Sequence, residues 1–148
     1  MKISAKGRYG LASIIYISTN YPNDAVVPIV NIADKLGISK IYLEQVFALL
    51  KNSGVVQSIK GSQGGYQLTR SAEATTAFDV LSAVEPLLFE QTQEAVSKKA
   101  PEIDKVMGDS VFALLEESVV NTLKNITLDQ LALEVEKCKA SDVNMFYI

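Results

Sequence analysis

The sequence predicts a mainly α-helical protein with a small β-wing: a winged helix-turn-helix domain followed by a long dimerisation helix. Three observations carry that expectation. Ser39-Lys40-Ile41-Tyr42-Leu43-Glu44-Gln45 reads as the start of a capped helix with polar side chains on one face. Further on, Lys60-Gly61-Ser62-Gln63-Gly64-Gly65-Tyr66 reads as a glycine-rich hairpin tip that bears a cation. The third is a helical-period apolar stripe in the second half, too long for one small domain to bury.

Taken in order, Ser4 caps a first helix that should run to about Tyr21, with Leu11, Ile14, Ile15 and Ser18 on its inner face. Tyr21-Pro22-Asn23-Asp24 is a turn. A second helix is expected over Ile29–Leu36, with Ile32, Ala33 and Leu36 inward, and Gly37 ends it. Ile38 plugs the turn, and Ser39 caps a third helix reaching about Asn52. Its Leu43, Val46, Phe47 and Leu50 follow the i, i+3, i+4, i+7 rule and face the core. Lys40, Ile41, Glu44 and Gln45 are left outside. Gly54 stops that helix, Val55–Ile59 forms a strand, and Tyr66–Thr69 returns antiparallel to it. A fourth helix over Ala77–Val84 is closed by Glu85-Pro86, completing a DNA-binding domain over residues 1–85.

Residues 86–148 read as hinge, dimerisation helix and C-terminal tail. The hinge, 86–108, has little periodicity. A long helix starting near Pro101 should reach about Asn125, with Val111, Leu114, Leu115, Val119 and Leu123 as its apolar stripe and Glu116, Glu117 and Lys124 outside. Such a stripe suits an antiparallel helix pair between two copies of the chain. Thr127 caps a short last helix, Leu128–Val135, and the sequence closes on an apolar Asn144-Met145-Phe146-Tyr147-Ile148.

Composition narrows the function. The apolar fraction of 48% suits a globular core, and no apolar run is long enough to span a membrane. Met1-Lys2-Ile3-Ser4-Ala5-Lys6 lacks the apolar stretch of a secretory signal, so a cytoplasmic location is expected. The single cysteine, Cys138, agrees with a reducing compartment. With no histidine, no paired carboxylates and no phosphate-binding loop, the chain is not expected to be an enzyme, and neither a metal nor another cofactor is expected. The net charge of −3 hides an asymmetry: residues 1–71 hold eight cations against three acids, +5, and residues 72–148 hold six against fourteen, −8. A basic half followed by an acidic half suits a polyanion-binding module with a separate extension.

Each candidate has a bland reading beside the sharp one. Glu44 and Gln45 can read bases, Gln pairing with adenine and Glu accepting from cytosine, or form a solvated helix face. Ile41 can touch a thymine methyl or be covered by the first helix. Lys2, Lys6, Arg8 and Tyr9 can fix the first helix to phosphates, or supply ordinary surface charge with Tyr9 in the core. Lys60 with Gly64 and Gly65 can enter a flanking groove, or simply make the hairpin. Cys138, flanked by Lys137 and Lys139, can sense oxidation or be an inert thiol.

Met1-Lys2-Ile3-Ser4-Ala5-Lys6-Gly7-Arg8-Tyr9-Gly10, Gly37-Ile38-Ser39, Tyr42-Leu43-Glu44-Gln45, Gly54-Val55-Val56, Gly64-Gly65-Tyr66-Gln67-Leu68 and Asn125-Ile126-Thr127-Leu128 stand in order along nearly the whole chain. In these blocks the sequence resembles the Rrf2 family of bacterial transcription regulators. The resemblance implies a homodimeric winged-helix repressor on a palindromic double-stranded DNA operator, its two recognition helices about 34 Å apart. It also implies Ser39, Ile41, Tyr42, Glu44, Gln45, Lys60, Gly64 and Gly65 as DNA contacts, with Lys2, Lys6, Arg8 and Tyr9 beside them. Two departures stand out. Iron-sulfur members carry three cysteines between the fourth helix and the dimer helix, and Glu85 to Asp109 contains none, which argues against a cluster. Lys60 replaces the usual wing Arg and Ile41 a usual small polar residue, which predicts weaker guanine readout by the wing.

Cluster-free members include repressors of cysteine metabolism with a similar Met-Phe-Tyr-Ile terminus. By that likeness Phe146, Tyr147 and the carboxylate of Ile148 would plug a cysteine synthase; alternatively the tail packs on the protein's own dimer. The alternative function is a protein-interaction adaptor that docks its tail on a metabolic enzyme and binds DNA weakly.

Overall fold

The computed structural model describes residues 1–90, 96 and 98–146, including the side chains of all but 143–146. Helix α1 (Ala5–Asn20) opens on Ser4, whose hydroxyl accepts from the Gly7 amide at 3.3 Å. Its buried positions are Gly7, Gly10, Ser13, Ile14 and Ile17, whereas Leu11, Ile15 and Ser18 are half-buried. The expected inner face was thus too narrow, because α1 is the central helix and neighbours cover it on more than one side.

Helices α2 (Ile29–Leu36) and α3 (Lys40–Asn52) have the expected bounds. Gly37, at φ 66°, makes the left-handed turn between them. Leu43, Val46, Phe47 and Leu50 of α3 are fully buried. Strands β1 (Val56–Ile59) and β2 (Gly65–Leu68) pair antiparallel, Val56 opposite Leu68 and Ile59 opposite Gly65. A third backbone piece joins them: Val27 and Tyr66 exchange both backbone hydrogen bonds, at 2.8 and 2.9 Å. Helix α4 (Ala77–Val84) also has its expected bounds.

Past a short turn at Pro86–Leu88, α5 (Pro101–Met107) and α6 (Ala113–Lys124) are joined by one wide helical turn, Gly108–Phe112. Together they make the long helix expected from Pro101 to about Asn125. Helix α7 runs over Leu128–Phe146, far past the expected end at Val135. Nothing from Leu128 onward is a Gly or Pro, and Glu136, Lys137, Lys139 and Ala140 are good helix formers, so no residue stops it.

The two halves are stitched together at helix starts. Thr76 and Asp79 form a capping box at α4, the Thr76 amide donating to the Asp79 carboxylate at 2.9 Å. Thr127 and Gln130 do the same at α7, at 3.0 and 3.2 Å. These caps lie side by side: the Ala77 amide donates to the Ile126 carbonyl at 2.8 Å and the Leu128 amide to the Thr75 carbonyl at 2.9 Å. Leu128 is fully buried in the same core as Phe47 and Val80, and α7 packs along α1. Among the described residues no helix is long and apolar enough to cross a membrane.

Candidate nucleic-acid interface

The candidate interface centres on α3. Ser39 caps it by accepting from the Tyr42 amide at 3.1 Å, which orders the first turn. With the apolar side of α3 in the core, Ile41, Glu44, Gln45 and Ala48 form one exposed row. Ala48, one turn beyond Glu44, was not singled out in the sequence; its spacing alone gave the signal, since a small apolar residue looks like filler. Lys40 sits 3.7 Å from Glu44, so the carboxylate carries its own counterion on this face.

Helix α1 supplies the flank. Tyr9 is 38% exposed, not in the core, and rests edge-on against Tyr42 with ring centroids 5.5 Å apart. Arg8 and Tyr9 line an open groove of about 500 Å³ against Leu36 and Ile38 of the α2–α3 turn. Lys2 lies on another side of α1, in a shallow groove beside Leu81 of α4. Lys6 and Arg8 are both exposed. The amino end of α1 is itself anchored, because the Ser4 amide donates to the Glu85 carboxylate at the end of α4.

The wing is held by Tyr66, whose ring meets Phe47 of α3 at 4.7 Å between centroids. That contact fixes the hairpin relative to α3. Lys60, Ser62 and Gln63 are exposed, and the side chains of Gln57 and Gln67 pair across the strands at 2.9 Å. Gly64 and Gly65 are half-buried and less free than a flexible tip implies. A Cβ on Gly65 would strike the Val27 carbonyl, and one on Gly64 the Ile59 carbonyl. Gly65 lies in β2 against the Val27 backbone, below the tip. The Val27 pairing that demands this glycine was missed in the sequence, since one residue paired at long range leaves no periodic trace.

The apolar stripe of the long helix is only partly covered in the single chain. Leu114 and Leu115 are 56% and 59% exposed, Val111 is also exposed, and Val119 and Leu123 are half-buried. Tyr147, Ile148 and the side chain of Phe146 lie outside the described residues.

Residues 3–134 match the Rrf2 family, described as iron-dependent transcriptional regulators. The chain belongs to the Rrf2 family. Relatives include the HTH-type transcriptional regulator IscR of Pectobacterium carotovorum, 30% identical over 142 residues, 96% of this chain and 85% of that one. IscR of Klebsiella pneumoniae is 32% identical over 131 residues, 88% and 79% of the two chains. Among solved structures, CymR of B. subtilis, the global cysteine regulator, superposes with a TM-score of 0.70 at 29% identity, covering 90% of this chain and 98% of that one. T. potens IscR gives 0.69 at 28% identity, over 93% and 90%. The winged helix-turn-helix, mainly α with a two-stranded wing, is therefore a fold this Rrf2 chain shares with its relatives.

The iron of the family description does not fit this member's donor set. The chain has one cysteine and no histidine, and no cysteine lies between Glu85 and Asp109. Cys138 is exposed on α7, and among the described residues no group of three His, Cys, Asp or Glu is placed to hold a metal ion. Iron-sulfur clusters need several thiolates, and this chain cannot supply them.

Proposed function

We propose that the chain is a homodimeric, sequence-specific transcriptional repressor of the cytoplasm that works without an iron-sulfur cluster. The observation that carries it is the exposed Ile41, Glu44, Gln45 and Ala48 row on a Ser39-capped helix, with Arg8 and Tyr9 at its flank. In this reading Gln45 and Glu44 meet base edges; Lys2, Lys6, Arg8, Ser39 and Tyr42 meet phosphates. Lys60 and Gly64 bring the wing to a flanking groove, and Gly65 supports the wing from beneath.

The exposed Val111, Leu114 and Leu115, continued by the half-buried Val119 and Leu123, support a second copy of the chain as the cover of this stripe, which would set two reading helices about one duplex turn apart. Selection of bound duplexes from a random pool tests the function: a palindrome with half-sites spaced by one helical turn is expected, and no enrichment would contradict it.

The likeness to the cysteine regulator of B. subtilis favours regulated genes in cysteine and sulfur metabolism. We infer that the signal then arrives as cysteine synthase bound at Phe146, Tyr147 and Ile148. A pull-down with purified cysteine synthase, before and after deletion of residues 146–148, tests this. Loss of enzyme binding with operator binding intact is expected; binding unchanged by the deletion would contradict it.

A further inference from the structure

The exposed row of α3 contains an apolar member that packing does not explain. Ile41 is 73% exposed, although the other large aliphatic residues in the first two turns of α3, Leu43 and Val46, are fully buried. Its neighbour Tyr42 takes the contact with α1, edge-on to Tyr9. One step along a helix is about 100° of rotation, so that contact turns Ile41 away from α1. Coverage by the first helix, one of the two readings the sequence allowed, is thereby ruled out.

A single exposed isoleucine is ordinary on a protein surface, but this one has an informative position. It is the first member of the row after the Ser39 cap, with Gln45 one turn on and Ala48 the next. Residues at the start of a recognition helix are those that reach base edges. Lys40 and Glu44 pair with each other, which leaves Ile41, Gln45 and Ala48 as the uncharged centre of the face. The major groove presents one apolar group, the 5-methyl of thymine.

We propose that Ile41 is a specificity-determining residue that selects thymine by covering that methyl group. Gln45 then takes adenine in a neighbouring base pair, and Ala48, with no reach of its own, lets the helix approach closely. The inference rests on the DNA-binding reading above. Burying one methyl corresponds to about a fourfold change in affinity per contact, or roughly fifteenfold for two half-sites.

The test uses the duplex enriched by the full chain from a random pool. Each thymine is replaced in turn by deoxyuridine, which removes the methyl and keeps the pairing. The chain should lose about fourfold at one thymine per half-site. Ile41→Ser should bind the thymine and uracil duplexes equally, and Ile41→Val should keep most of the uracil penalty. Equal binding of the unaltered chain to every thymine and uracil pair would overturn the inference. So would Ile41→Ser retaining the full penalty, since the effect would then come from duplex shape. If the pool yields no enriched sequence, the DNA-reading function falls and takes this inference with it.

Discussion

Gln45 and Lys6 stand on the same surface but should fail differently when removed. Gln45 is uncharged and central to the exposed row, so Gln45→Ala should cost about 1–3 kcal/mol on the selected operator and almost nothing on scrambled DNA. Lys6 at the amino end of α1 is suited to a phosphate, so Lys6→Ala should weaken every sequence alike and lower the salt slope by about one per protomer. Fluorescence anisotropy on both duplexes across a salt series separates the two, and an equal loss for Gln45→Ala on both would remove its base-reading role. Gly65 poses a different constraint: its missing Cβ leaves room for the Val27 carbonyl. Gly65→Ala should destabilise the fold by about 1–3 kcal/mol in urea titration. At this scale the sequence already exposed Glu44 and Gln45 as outward and Ser39 as a cap, because both follow from local spacing. It could not decide Ile41 or Tyr9, whose exposure depends on how α1 meets α3.

The elements show the same division between local and distant causes. Helices α2, α3 and α4 were legible, because Gly37, Ser39 and Glu85-Pro86 mark ends that are set within a few positions, although the Thr76 capping box at the start of α4 was not read in the sequence. The far end of α7 was not: the helix was expected to end at Val135, and it runs on to Phe146 with no Gly or Pro to stop it. Thr127 was readable as a cap, whereas its partnership with Thr76 was not; the two lie 51 positions apart and meet only through the bridge between Thr75-Thr76-Ala77 and Ile126-Thr127-Leu128. That bridge makes α7 part of the DNA-binding unit's core. Leu128→Ala should therefore cost about 2–5 kcal/mol, and Thr127→Ala about 1 kcal/mol, both read by thermal and urea unfolding. If Leu128→Ala unfolds like the parent chain, α7 does not belong to that core.

At the scale of the whole molecule, a basic first half is followed by an acidic second half. The net +5 of residues 1–71 suits a polyanion, and the net −8 of residues 72–148 would hold the stripe-bearing helix and α7 away from it. The first part of the stripe, Val111, Leu114 and Leu115, faces outward in one chain, and its coverage by a second copy would set the spacing of the two reading heads. Leu115→Glu places a charge in that stripe and should turn a dimer into a monomer by light scattering, with operator affinity falling at least tenfold while scrambled-DNA binding changes little. The most direct measurement of the central claim is operator binding by chain purified in air and treated with a strong iron chelator. The account predicts tight binding without iron, about a thousandfold or more above scrambled DNA, lost when half a helical turn is inserted between the half-sites. Binding that appears only after iron and sulfide are restored, or that ignores half-site spacing, would contradict it.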